Sequence, residues 1–324
     1  MSLRHGKLDW RSVLVTGSSG YVGAQVLDAL AGRSDLRVVG VDVRAPQLRR
    51  DGVLYEQCDI RDDALNAIVA RHAPAVVVHL ACIVTPGSGS SRAFEYSVDV
   101  DGTRNLLEAC VRHDVQRVIV SSSGAAYGYH ADNPLWLTED DPLRGNEAFA
   151  YAWHKRLVEE MLAEYRRQQP QLGQVVLRIG TILGATVDNQ ITALFQRRRP
   201  IAIRGSDSPF VFVWDQDVVG AILHGIEGPT GIFNLAGDGK LAIDQIAARM
   251  GKQCLVVPPG VLRAALYLLA RLHLTRYGPE QVDFLRYRPV LDNRRLKKVF
   301  GYEPRLDSAA VFDLWWQARG RALP

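Results

Sequence analysis

The sequence is poor in sulfur: its 324 residues include four cysteines and three methionines. Cys58, Cys82, Cys110 and Cys254 lie far apart and form no C-x-x-C pair. That spacing argues against a structural metal site and a disulfide framework, and it fits a reducing cytoplasm. No metal is expected. No run of apolar residues is long enough to span a bilayer, and no secretory signal is visible. The first ten residues read as a leader or loose tail. Internal repeats and low-complexity tracts are missing, which excludes a solenoid. Neither charge sign dominates: 39 Lys and Arg stand against 35 Asp and Glu, a net charge of +4. The one basic run, Gln196-Arg-Arg-Arg-Pro200, has no stacking aromatics beside it. It reads as a solvated helix end, and no nucleic-acid partner is expected.

What remains is an ordinary globular composition, 47% hydrophobic. The chain is long enough for one large core and a smaller lobe. The stretch that organises it is Val13-Leu-Val-Thr-Gly-Ser-Ser-Gly-Tyr-Val-Gly23. Four strand-forming residues run into glycines, and Val22, Val26, Leu27 and Leu30 then recur at helical spacing. Gly17 permits the tight turn, Gly20 lets backbone approach a pyrophosphate, and Gly23 lets helix meet strand closely. The N-terminus of that helix, with Ser19, Tyr21 and Val22 at its entrance, would face the phosphates. Asp42 ends a second strand about 20 residues on, where a carboxylate accepts the ribose hydroxyls and disfavours the 2′-phosphate of NADP. Arg44 lies two residues further and could pair with such a phosphate. The expected cofactor is therefore NAD.

Strand and helix patterns then alternate. Strands are predicted over 53–57, 75–80, 117–121 and 174–179, and helices near 65–69, 92–113 and 151–167. Thr85 to Ser91 reads as a flexible segment able to close over a ligand. This order predicts an α/β fold: a doubly wound parallel sheet of Rossmann type. After Gly180 the pattern loosens into a smaller C-terminal lobe. Its predicted elements are a helix near 189–196, strands at 200–204 and 210–214, a helix at 217–226 and a strand at 232–236. Residues 261–274 form a helix unusually apolar for a surface. It is short for a membrane span, and packing over the lobe or against a partner subunit is the expected reading.

Two further spots carry chemistry. In Tyr151-Ala-Trp-His-Lys155 a phenol and an ammonium share a helix face. The cation should lower the tyrosine pKa and fit it for proton transfer at a carbinol oxygen. Ser121-Ser-Ser-Gly-Ala-Ala-Tyr-Gly128 follows the fifth strand, where open parallel sheets bind ligands. A serine there can hold the oxygen that the tyrosine protonates.

Together these motifs resemble an extended short-chain dehydrogenase/reductase of the NAD-dependent epimerase/dehydratase type, over about Ser12 to Pro304. The resemblance implies a catalytic set of Ser123, Tyr151 and Lys155. It implies cofactor contacts from Gly17, Ser19, Gly20, Tyr21, Val22, Gly23 and Asp42, and from Asp59 and Ile60 on the adenine side. Leu80, Ala81, Cys82, Ser121, Tyr151, Lys155 and Ile179 would lie near the nicotinamide and its ribose. Asp99-Val-Asp-Gly-Thr103 resembles the family's Asn-Val-x-Gly-Thr, with Asp99 replacing the asparagine. Phe212 to Asp217 resembles the strand ahead of a lobe helix.

Residues 11–180 are expected to form the NAD-binding domain, with 206–240 partly returning to the sheet. Residues 181–205 and 241–324 would form the substrate lobe. Gly124-Ala125-Ala126 replaces the Asp-Glu pair usual in family dehydratases, which argues against dehydration. Ser123, Gly124, Thr181 and Asn189 are the expected substrate contacts. Thr181 stands where nucleotide-sugar epimerases carry asparagine, and Phe210 where they carry a pyrophosphate-binding arginine. Asn189 and Pro200-Ile-Ala-Ile-Arg204 resemble their nucleotide-binding elements, and Arg288 could compensate for the arginine. Three functions stay open: a sugar or nucleotide-sugar epimerase, a dehydrogenase or ketoreductase for a non-sugar secondary alcohol, and a non-catalytic NAD sensor. The substrate is expected to be a small molecule. A homodimer is expected through the helices at 92–113 and 151–167, on surplus apolar residues Phe94, Val98, Leu106, Leu107, Trp153, Leu157, Met161 and Tyr165.

Overall fold

A computed structural model describes residues 12–320 except Ser88, His273 and Arg276, and except the side chain of Gln190. The predicted leader or tail lies outside the described residues. The chain runs β1 (Ser12–Thr16), α1 (Tyr21–Ala31), β2 (Arg37–Asp42), β3 (Val53–Gln57), α2 (Ala64–His72) and β4 (Val76–His79). There follow α3 (Arg92–Tyr96), α4 (Gly102–Arg112), β5 (Arg117–Ser123), α5 (Ala150–Gln168) and β6 (Gly173–Ile179). With β10 (Gly231–Leu235), described below, these strands form one seven-stranded sheet in the order β3-β2-β1-β4-β5-β6-β10. Every pairing in it is parallel.

Strand periodicity explains the two layers of core. Val13, Val15, Val76, Val78, Val175 and Leu177 point to one face, where they share a core with Val26, Leu27 and Leu30 of α1. Leu14, Val77, Val118 and Val176 point to the other face, beneath Leu65, Leu106 and Val158 of α2, α4 and α5. Strands covered on both sides must be apolar throughout, as β4 is up to His79.

The helix predicted over 92–113 is not uniform. Between α3 and α4 the turn Ser97–Asp101 is π-helical, and its extra residue carries Asp99 into the interior, 4% exposed. Leu106 and Leu107 also correct the sequence reading. Both are fully buried against the sheet, so neither is surplus.

Beyond β6 lie β7 (Thr181–Leu183), α6 (Gln190–Gln196), β8 (Ile201–Ile203), β9 (Phe212–Trp214) and α7 (Asp215–Glu227), and then β10, α8 (Ile243–Arg249) and β11 (Leu255–Val257). The chain continues through α9 (Pro259–Arg271), α10 (Gln281–Arg286) and α11 (Ser308–Gln317). β7 pairs with β9, and β8 with β11. A separate aromatic core forms here: Phe195 packs edge-on against Phe210, Phe312 and Trp315. Val218, Ala221 and Ile222 of α7 return to the main core, as do Phe233 of β10 and Leu296 and Phe300 further along the chain.

Candidate active site

The glycine turn is built by close approach. Gly17 has φ +70°, and a Cβ on it would meet Ala81 N at 2.6 Å. A Cβ on Gly23 would lie 2.1 Å from Gly17 O. The turn therefore touches the Leu80–Cys82 segment after β4, bringing two predicted cofactor segments together. Gly20 caps α1 in an extended conformation with no side-chain cap, so the first-turn N–H groups around Tyr21, Val22 and Gly23 stay open to an anion. Asp42 ends β2, and its two carboxylate oxygens accept the N–H groups of Ser19 and Arg44, each at 2.9 Å. Carboxylate oxygens hold more than one acceptor site, so the aligned group can still take a ribose diol. This shape fits the pyrophosphate and adenosine ribose of a dinucleotide.

Other predicted contacts are placed less directly. Asp59 is held by Arg61, whose guanidinium keeps its carboxyl below the usual carboxylate range. The Ile60 side chain packs in the core, while its carbonyl accepts Asn105 Nδ2 at 2.8 Å. Ile179 is buried at the end of β6. Tyr21 turns its hydroxyl to Asp215 Oδ2, 2.5 Å away at the start of α7, and so joins the glycine turn to the second half of the chain. Burial, then the Asp215 carboxylate, pushes the Tyr21 phenol up to about 12.

Beyond the carboxyl end of β5 the three serines divide by strand parity. Ser122 donates to Glu159, whereas Ser121 and Ser123 face the opening. The Ser121 carbonyl accepts Lys155 Nζ at 2.7 Å. Ser123 Oγ accepts Ala125 N–H at 3.1 Å, and its hydroxyl pulls the Tyr151 pKa down. Lys155 Nζ stands 5.6 Å from the centre of the Tyr151 ring, with the Cys82 thiol also against it. The predicted Ser123, Tyr151 and Lys155 are thus brought together.

The electrostatics differ from the sequence reading. Burial raises the Tyr151 pKa, and the opposing pull of Lys155 and Ser123 does not cancel it. The tyrosine is therefore a protonated donor held beside a cation, not a standing phenolate. Burial works against the Lys155 ammonium, but Cys82, Tyr151 and Asp99 around it hold its pKa above the ordinary lysine value. Burial also pushes the Cys82 thiol up.

Sequence reasoning missed a second layer. Asp99 accepts the Ile83 N–H at 2.8 Å and His154 Nδ1 at 2.9 Å, so one carboxylate braces both the β4 loop and α5. His79 Nδ1 lies 2.7 Å from Thr16 Oγ1, and its Nε2 lies 2.9 Å from Thr103 Oγ1. Thr103 spends its proton on the Asp99 carbonyl, so Nε2 must be the protonated nitrogen of His79. Burial lowers the His79 pKa to about 3, and the ring is neutral. Below Ser122, Glu159 and Arg178 form a buried pair, and Arg178 also donates to Tyr127 OH at 2.7 Å. Partners so distant in sequence leave no local signal.

On the lobe side, Phe284 of α10 packs edge-on to Tyr129, 5.0 Å between centroids, in a cluster that includes Tyr151. Arg288 lies over the Phe210 ring at 4.2 Å and the Phe284 ring at 4.5 Å. Its Nη1 is buried without a hydrogen-bond partner, and burial lowers its pKa to about 10. Gly124 meets Leu291, with 3.1 Å from a Cβ built there to Leu291 Cδ2. Thr181 donates its N–H to Val211 O. Asn189 caps α6, its Oδ1 accepting the N–H groups of Ile191 and Thr192.

A tyrosine–lysine pair beside a dinucleotide cradle is the arrangement expected of the extended short-chain dehydrogenase/reductase class. Residues 13–236 match the model of the NAD-dependent epimerase/dehydratase family, and the chain belongs to that family. It is an NAD-dependent enzyme. An uncharacterized protein of Mycobacterium tuberculosis is 28% identical over 316 residues, covering 95% of this chain and 84% of that one. A UDP-glucose 4-epimerase of Rhizobium meliloti is 26% identical, covering 96% and 97% respectively. Among solved structures, the Thermotoga maritima UDP-glucose 4-epimerase with UDP-glucose has a TM-score of 0.73 at 21% identity, covering 96% of this chain and all of that one. The fold is shared.

With NAD as cofactor, we propose that Asp42 sets the preference over NADP. Replacing Asp42 by alanine should weaken NAD binding by about 1.5–3 kcal/mol, the range for a lost charged hydrogen bond, and narrow the gap to NADP. Calorimetric titration of both dinucleotides reads this. A wild-type preference for NADP would assign the ribose site to Arg44.

Proposed function

We propose that the protein is an epimerase acting on a sugar nucleotide, with Tyr151 exchanging the proton of a secondary hydroxyl and Ser123 holding its oxygen. Lys155 keeps positive charge beside the phenol, so phenolate is stabilised when the proton leaves. Bound NAD supplies the reversible hydride acceptor. The observation that carries the reading is Arg288, a half-buried guanidinium with an orphaned nitrogen, stacked on Phe210. An anionic diphosphate is the ligand that answers such a cation. Its place over Phe210 supports reading it as a substitute for the arginine that Phe210 replaces. The curated UDP-glucose 4-epimerases among its relatives support the same substrate class.

Incubation with UDP-glucose and UDP-galactose, followed by proton NMR, tests this. Interconversion with no net change in nicotinamide absorbance is expected, and Arg288→Leu should raise KM by about 10- to 100-fold. Net cofactor reduction by a non-sugar secondary alcohol, with no epimerisation, would make the protein a dehydrogenase instead. We also infer a homodimer through α4 and α5, which flank a groove lined by Tyr96, Val100, Leu157, Met161 and Tyr165. Light scattering at micromolar concentration should report twice the chain mass, and a monomer there would refute the pairing.

A further inference from the structure

Between Asp244 and Glu280 the sequence holds Arg249, Lys252, Arg263, Arg271 and Arg276 and no acidic residue. Within this segment α9 buries none of its 13 residues. It rests on a half-buried row, Leu262, Leu266 and Ala270, spaced four apart. Val261, Tyr267, Leu268, Leu269 and Leu272 are exposed, Leu268 to 59% and Leu272 to 64%. A surface helix ordinarily turns its polar face outward; this one turns leucines outward. The apolar surface continues in β11, where Leu255 and Val256 are 44% and 54% exposed.

Cations border it. Arg197, Arg198 and Arg199 are all exposed. Arg199 donates to Cys254 O at 3.0 Å, and Leu255 N–H donates to Pro200 O at 2.8 Å, so the basic run abuts the exposed end of β11. Arg271 donates to the exposed Tyr267 hydroxyl on α9 itself. Arg249 and Arg263 are already paired, with Asp313 and Asp283.

We propose that this surface docks on an anionic phospholipid bilayer, with α9 lying in the plane of the interface. A 13-residue helix is about 20 Å long, short of the roughly 30 Å hydrocarbon core. No helix among the described residues is long and apolar enough to cross a membrane. Leucines entering the acyl boundary while arginines meet headgroup phosphates is the mode open to such a helix. A second copy is a poorer occupant, because a two-fold contact would set the same cations face to face without acidic partners from this segment. Docking would also bring the bilayer close to the substrate cleft. α9 is tied to α10 by the Arg263–Asp283 pair at 2.8 Å, and α10 carries Phe284 into the cluster with Tyr129 and Tyr151.

The test is co-sedimentation of the whole protein with vesicles of phosphatidylcholine and phosphatidylglycerol in equal parts, compared with phosphatidylcholine alone. Binding to the mixed vesicles should exceed binding to the neutral ones by about tenfold or more and should fall with added salt. Leu268→Glu/Leu272→Glu should lower it by at least about tenfold while leaving NAD affinity unchanged, since both side chains are exposed. Arg197→Glu/Arg198→Glu should weaken binding to the mixed vesicles alone. Wild-type protein that stays in the supernatant overturns the proposal, and so does a leucine variant that binds as well as wild type. A wild type that binds no vesicles and is larger by light scattering than the leucine variant also overturns it, and assigns the face to a second copy.

Discussion

Tyr151→Phe should fold, bind NAD and lose about 100- to 10,000-fold in turnover, the range for removing a positioned general acid–base. The ring packs in a cluster with Tyr129, Phe149, Phe284 and Tyr287, and phenylalanine preserves that packing. Only the hydroxyl is deleted. Lys155→Met should behave differently. Its ammonium is anchored on the Ser121 carbonyl and lies against Cys82, so its loss should disturb cofactor binding as well as turnover. Single-turnover measurements with a titration of NAD separate the two. Near-normal turnover in Tyr151→Phe would remove the tyrosine from the mechanism.

The second large effect is expected beneath the site. Glu159→Ala should destabilise the protein by about 3–5 kcal/mol, the cost of leaving one member of a buried ion pair uncompensated. Arg178 and Glu159 side chains are only 4% and 3% exposed, so water cannot replace the lost carboxylate. The damage should spread, because Arg178 also donates to Tyr127 OH and the Glu139 carbonyl, and Tyr127 OH meets Asn234. The shift in urea midpoint measures it. The paired replacement Glu159→Leu/Arg178→Met should cost less than Glu159→Ala alone, since no charge is stranded. Equal or greater loss in the double variant would mean that packing, not charge, is the dominant contribution.

Elements with a strong period were legible in the sequence. The β1–α1 unit, β4 and α5 could be placed within a residue or two, because two-sided burial and a single apolar helix face each leave a local pattern. The Ser123, Tyr151 and Lys155 set was legible through its motifs. The lobe was legible in part: the helix near 189–196 and the strands at 200–204 and 210–214 correspond to α6, β8 and β9, whereas β7 and β11, of three residues each, are too short to show alternation. Helix α11 did leave a signal that was passed over: Asp307 caps it by accepting Ala310 N–H, and Val311, Phe312, Trp315 and Trp316 form its buried face. The second layer around Asp99, His154 and His79 depends on contacts across 16 to 63 residues, which no window along the chain can contain. The sign of the Tyr151 shift was misread for a related reason. The helical spacing of the lysine is local, but the burial that outweighs it comes from the whole fold.

The π-helical turn at Ser97–Asp101 bears on how this chain can change length. Each residue added to or removed from an α-helix rotates everything beyond it by about 100°. Deleting one residue from this turn would restore regular winding, yet swing Thr103, Leu106, Leu107 and Cys110 off the sheet and carry Asp99 away from Ile83 and His154. Length variants of this enzyme should therefore retain the residue count from Arg92 to Arg112, and that register, more than the identity of any one side chain there, is what selection would hold fixed.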